Sequence, residues 1–166
     1  MTFSETLLPE FDQEMANTRK VLERIPDDKL DWKAHPKSHT IGWNANHVAD
    51  IPNWLVAVLT TPSLDIAPVD GEPYVSPKLT SSREIVELFD RNVAAARKAI
   101  TEVKDQDVGT PWTLAKGGEP IFTMPRSAMI RSFILNHLMH HRAHLCVYLR
   151  LNDLPVPGMY GPSGDE

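Results

Sequence analysis

The chain of 166 residues has little of several things, and each shortage closes a class of function. It has one cysteine, Cys146. A lone cysteine closes no intrachain disulfide and builds no thiolate zinc site. It has no excess of basic charge: Lys and Arg total 17 against 22 Asp and Glu, a formal net charge of -5. Phosphate neutralisation needs clustered Lys and Arg, so no nucleic-acid partner is expected. It has no long apolar run. The longest, Trp54 to Leu59, falls far short of the roughly 20 residues that span a bilayer, so no membrane partner is expected. Residues Met1 to Phe11 include acidic side chains and a proline. They lack the basic start and apolar core of a secretory leader. The expectation is a cytoplasmic protein with one domain over residues 1–166.

What the chain does have is helical periodicity and histidine. Leu7, Leu8, Phe11, Met15, Thr18, Val21 and Leu22 recur at three- and four-residue spacing, which predicts a first helix from Phe3 to Arg24. A second runs from Thr40–Gly42 to Leu59 on Ile41, Ala45, Val48, Ile51, Leu55 and Val58, with a kink expected at Pro52. Pro62 to Pro77 carries four prolines and no helical period, so it reads as a long loop, a type that is often functional. Ser81-Ser82-Arg83-Glu84 has the spacing of a capping box and opens a third helix that ends near Val103. Thr110 to Met124 has strand character on either side of Lys116-Gly117-Gly118-Glu119 and reads as a small hairpin. Pro125 suits the first turn of a fourth helix, which continues to Leu151. The tail from Val156 onward is rich in proline and glycine. Its prolines reduce the entropy cost of docking, so it is expected to pack against the helices with Tyr160 partly buried and its end near the site.

Four of the seven histidines lie between His137 and His144. His137/His141 and His140/His144 both have i,i+4 spacing, which places two imidazoles one turn apart on one helix face, within reach of one metal ion. The helical wheel separates the pairs. At about 100° per residue, with His137 as origin, the apolar sector of Ile130, Ile134, Leu138, Leu145, Tyr148 and Leu149 centres near about +45°. His141 falls near about +40° and His137 lies inside the sector, His144 is at its edge, His140 is outside it, and Cys146 lies near about 180°. The inward pair is therefore His137 and His141. Two stacked inward imidazoles each need a polar partner in an apolar layer, which a metal ion or structural hydrogen bonds can supply. His47, beside the apolar stripe of the second helix, is the candidate third ligand. His35 and His39 share the i,i+4 spacing, but Pro36 places them in a loop. Asp50, one turn after His47, is expected to hold an imidazole tautomer.

The run Asn136-His137-x-x-His140-His141-Arg142, followed by Tyr148-Leu149-Arg150, Pro155-Val156-Pro157 and Tyr160-Gly161-Pro162-Ser163, resembles the C-terminal signature of the DinB-like (DinB/YfiT-type) superfamily of metal-binding proteins. Leu30-Asp31-Trp32, Pro36, Ile41-Gly42 and His47-Val48-Ala49-Asp50 are similar to that family's first loop and second helix. The resemblance implies an all-α four-helix bundle in an up-down-down-up arrangement, with long loops and here one small β-hairpin before the last helix. It implies a homodimer. It also implies one divalent ion per chain on His47, His137 and His141, agreeing with the wheel for the last two. One departure stands out: Arg142-Ala143-His144 replaces the family's usual Arg-Gly-Gln.

Relatives with assigned activities are metal-dependent transferases that use low-molecular-weight thiols. One is a thiol-dependent maleylpyruvate isomerase with a glutamate at the position of His137, and others carry only a metal-dependent hydrolase assignment. The expected function is a thiol-dependent S-transferase or a hydrolase acting on a small molecule. The alternative is a non-catalytic metal-binding structural or stress-response protein acting through its dimer interface. Zinc is the default metal from the ligand type, with nickel or another transition metal as alternatives. Arg142 is a candidate anion contact, against the plainer reading of an exposed helix arginine. Trp32 and Trp43 are candidate pocket walls, with core packing as their plainer role.

Overall fold

The computed structural model describes residues 1–166. Its four long helical segments fall close to where the periodicity puts them. Helix α1 spans Phe3–Leu22 and opens with a reciprocal cap, in which the Thr2 side chain accepts from the Glu5 amide and Glu5 returns the bond. Helix α2 spans Ile41–Thr60 and runs unbroken past Pro52. The entry of α2 is fixed by close approach: Gly42 N–H donates to Leu30 O at 2.7 Å, and a Cβ at Gly42 would sit 2.9 Å from that oxygen. Helix α3 spans Ser82–Glu102. The capping box expected from Ser81 does not form. The Ser82 amide is met instead by Asp27, whose Oδ1 lies 2.7 Å away, and that bond lowers the Asp27 pKa below the usual carboxylate value.

The last helical segment is not uniform. Helix α4, Arg126–Met129, passes into a π-helical stretch, Ile130–Leu135, and then into helix α5, Asn136–Leu151. A π-helical stretch winds less per residue than an α-helix. The angles extrapolated backward from His137 at a constant 100° are therefore displaced before residue 136. Leu135, placed well outside the apolar sector by that extrapolation, is buried.

The fold is not purely helical. Strand β2, Pro111–Lys116, pairs antiparallel with β3, Glu119–Pro125, through a turn in which Gly117 and Gly118 both have positive φ. Glycine supplies that conformation without steric cost. The sheet is larger than the expected hairpin: β1, Ser63–Asp65, adds to β2 in parallel. It lies inside the segment read as a structureless loop. Three residues are too few to show a period of two. Asp65 secures the join, since its carboxylate accepts from the amides of Ala67, Gly117 and Gly118.

Helix α2 packs between α3 and α5, and α1 packs against α3 and α5. One core of 28 buried residues draws on all four long helical segments and on Trp112 and Leu114 of β2. The sheet and the segment from Leu64 to Ser76 close over one end of the α2–α5 face, beside the histidines.

Candidate metal centre

Helix α2 presents Trp43, Asn44 and His47 within one turn, and α5 presents His137 and His141 one turn apart. Packing α2 on α5 brings three imidazoles together. His47 Nε2 lies 3.2 Å from His137 Nε2, and His141 Nε2 lies 3.0 Å from the same atom. A metal held by imidazoles at about 2.0–2.1 Å separates neighbouring ligand nitrogens by about 3 Å, so the set fits one ion. The chemistry of the donors agrees. Each neutral imidazole carries one N–H and one lone pair. With three Nε2 atoms facing one another, a single proton on His137 cannot satisfy both neighbours. A cation at the point of convergence satisfies all three lone pairs.

One tautomer is set by the protein. Asn44 Nδ2 donates to the Thr40 carbonyl at 2.9 Å, which turns Asn44 Oδ1 toward His141 Nδ1, also at 2.9 Å. His141 therefore carries its proton on Nδ1 and presents the Nε2 lone pair to the centre. His137 has no such partner. Its Nδ1 is buried and unpaired, and the ring is held by packing against Phe133 and Trp54. Trp43 stacks on His47 with ring centroids 4.7 Å apart.

The electrostatics favour the ligating form. Burial, then the neighbouring His137 and His39, lower the His47 pKa to about 4. Burial, then His47, His137, His140 and His144, lower that of His141 to about 3. His137 is lowered too, first by burial and then by His140. Near neutral pH all three rings are uncharged.

The remaining candidates fall elsewhere. His140 is exposed. Its ring nitrogens approach those of His141 and His144, but both nitrogens of His141 already face the inner set. His35 is exposed in the loop, where Nδ1 accepts from the Lys37 amide at 3.1 Å. His39 stacks on the outer face of Trp43 at 3.6 Å. Asp50 does not hold an imidazole: its Oδ2 accepts from Trp54 Nε1 at 2.9 Å and from the Tyr74 hydroxyl. That contact and burial, the larger cause, push the Tyr74 pKa up to about 12.

Trp43 borders the cavity beside the histidines, whereas Trp32 packs edge-on against Tyr148 and does not. Arg142 is neither exposed nor an open anion contact. It is buried on the α1 side in an ion pair with Glu14 at 2.7 Å. The tail does dock, with Met159 O accepting from Asn17 and Asp165 pairing with Arg150. Yet Tyr160 is 67% exposed as a residue, with only its hydroxyl drawn in to the Glu14 carboxylate, and no tail residue lines the cavity. Asn44 and Tyr74 were missed in the sequence. Asn44 was findable from its position three residues before His47, but its role depends on the Thr40 carbonyl at the helix cap.

A sequence model of the DinB superfamily matches residues 10–145. The chain belongs to that superfamily. It is 26% identical over 149 residues to YrdA of Bacillus subtilis strain 168, an uncharacterized protein, covering 90% of this chain and 83% of YrdA. Its fold is similar to the crystal structure of a DinB-like protein from Bacillus cereus ATCC 10987, with a TM-score of 0.72 at 28% identity, covering 94% of this chain and 97% of that one. The DinB-like protein YjoA of Bacillus subtilis shares the fold at a TM-score of 0.66 and 13% identity, covering 90% of this chain and 96% of that one. No helix is long and apolar enough to cross a membrane.

Proposed function

We propose that this chain is a metal-dependent enzyme built on a DinB-like four-helix bundle in the up-down-down-up arrangement, a single domain over residues 1–166. In this reading His47, His137 and His141 hold one divalent ion, zinc by ligand type, with nickel or another transition metal as the alternative occupant. The observation that carries it is the convergence of three neutral Nε2 atoms beside an apolar cavity. A three-histidine set is the donor pattern of catalytic zinc sites rather than of closed structural ones. When bound, such an ion supplies Lewis acidity that lowers the pKa of a water or a low-molecular-weight thiol, which makes the activity thiol-dependent S-transfer or hydrolysis of a small molecule.

The chain's own residues do the rest. Asn44 holds the His141 tautomer. Trp43 and Trp54 pack against the His47 ring and fix its orientation. The walls of the cavity exclude water and seat the substrate. The family resemblance extends the reading to a cytoplasmic homodimer.

Elemental analysis should give one divalent ion per chain. Zinc-loaded protein screened against pairs of small thiols and electrophiles, and against small esters and amides, should turn over at least one of them. Loss of that turnover in His141→Ala is the expected control. Light scattering should give a mass near twice the 18.7 kDa of the chain. A protein without stoichiometric metal overturns the reading.

A further inference from the structure

The cavity beside the histidines has a chemical character that the histidines alone do not dictate. Its volume is about 240 Å³, and His47 and His137 form part of its wall. Most of the remainder is apolar, with Trp54, Trp112, Leu64 and Phe133 prominent. No Lys, Arg, Asp or Glu lines it. The nearby carboxylate, Asp50, accepts from Trp54 and Tyr74 and lies behind them, outside the lining.

These walls select by charge and size. A charged group seated among the apolar side chains, away from the histidine end, has no side-chain counter-ion and few hydrogen-bond partners, which strongly disfavours it. An apolar cavity of about 150 Å³ accepts benzene, so this one takes a ring with a few substituent atoms. Trp54 and Phe133 stack at 5.8 Å with an interplanar angle of 18°, leaving aromatic surface for offset or edge contacts with a ring.

Resting on the metal reading above, we propose that the substrate of this site carries an uncharged aromatic group that fills the cavity, with its metal-binding donor atom one or two bonds from the ring. A large group rich in hydroxyls does not fit these walls, which offer it few hydrogen-bond partners. The contiguity of His47 and His137 with the cavity puts the donor at the histidine end and the ring against Trp54, Phe133 and Leu64.

Calorimetry on the full chain tests this with probes that separate the two halves. Benzyl mercaptan should bind zinc-loaded protein about 10-fold or more tighter than 2-mercaptoethanol, because the ring removes extra apolar surface from water. Toluene, which has no metal donor, should bind the metal-free chain. Leu64→Phe and Ser76→Leu each add bulk to the wall from half-buried positions. Either variant, shown folded by circular dichroism and still metal-loaded, should lose most toluene binding.

Equal affinity for the two thiols on zinc-loaded protein overturns the inference, as does tighter binding of mercaptosuccinate than of benzyl mercaptan. Failure of toluene to bind while metal is held overturns the inference and leaves the metal reading standing. Toluene binding by a chain that fails to take up added zinc supports the cavity's preference for a ring, and overturns the metal reading and with it the donor placed at the histidines.

Discussion

His141 and Arg142 are neighbours in the chain, about 100° apart around α5, yet one meets α2 and the other α1, and they serve opposite kinds of buried polar cluster. On the α1 face, Arg142 and Glu14 neutralise each other at 2.7 Å. The Tyr160 hydroxyl donates to Glu14 and accepts from Arg142, and Arg142 Nη1 donates to the Glu14 carbonyl and the Thr18 hydroxyl. On the α2 face, three ring nitrogens converge with no charge to balance them and too few protons to pair them. The first cluster is complete and needs no ligand. The second is short of partners, and a cation at its centre would complete it. Burial of polar groups alone would have marked both as sites, and the deficit of partners distinguishes them.

The largest effects should come from breaking each face separately. His137→Ala and His141→Ala should remove nearly all bound metal by elemental analysis, and His140→Ala should leave it in place. Loss of metal in the His140 variant with retention in the His137 variant would reverse the assignment of faces. On the other side, Glu14→Ala strands a buried guanidinium and should cost about 3–5 kcal/mol of stability in denaturant titrations. Its metal content should be unchanged. If Glu14→Ala also abolishes metal binding, the two faces are not independent.

A smaller effect sharpens the metal face. Asn44→Ala frees the His141 tautomer, and loss of such an orienting partner should weaken metal affinity about 10- to 100-fold. Competition with a chromophoric chelator would read it. An unchanged affinity would show that packing alone holds the ring.

The same face should respond to acid. Unfolded histidines take up protons near about pH 6.5, whereas folded His47 resists until about 4 and folded His141 until about 3. Between those limits the unfolded chain binds more protons, so stability falls as pH drops through the window. The melting temperature of metal-free protein should decline from about pH 6.5 toward about 4, and metal should oppose the decline because protons compete for the same nitrogens. A flat profile for the metal-free protein would contradict the buried neutral imidazoles.

How far these faces were legible follows from their geometry. The i,i+4 spacing marks His137 and His141 as a pair because one helix fixes their relation. The wheel turns them inward and His140 outward, as the structure has them, because all three lie within the regular α5. The buried arc of α5 runs past the edge of the apolar sector: Arg142, one step beyond Leu138 and Leu149 on the wheel, is buried with them. Residue type alone made an exposed arginine the plainer reading of Arg142. Its partners Glu14 and Tyr160 are 128 and 18 residues away, and no local pattern joins them. The expected role of Asp50 failed similarly, because its acceptor oxygen turns toward Trp54 and a tyrosine 24 residues on.

The tail gives the smallest perturbation and tests whether the closed face is as complete as it looks. Tyr160→Phe removes one hydroxyl while leaving the exposed ring and the direct Arg142–Glu14 contact at 2.7 Å. The lost hydroxyl bonds charged groups on both sides, yet the residue lies at the surface, where water can enter and replace it. The cost should therefore be about 1 kcal/mol, within the usual range for a single hydrogen bond. It should appear as a small drop in denaturation midpoint with an unchanged slope. Metal stoichiometry and the acid profile should be those of the parent, because the hydroxyl sits on the α1 side of α5 and no tail residue borders the histidine cavity. A loss near the 3–5 kcal/mol expected for Glu14→Ala would mean that the hydroxyl, rather than the direct contact, holds the ion pair in place. An altered metal affinity would mean that the rotation of α5 links the two faces.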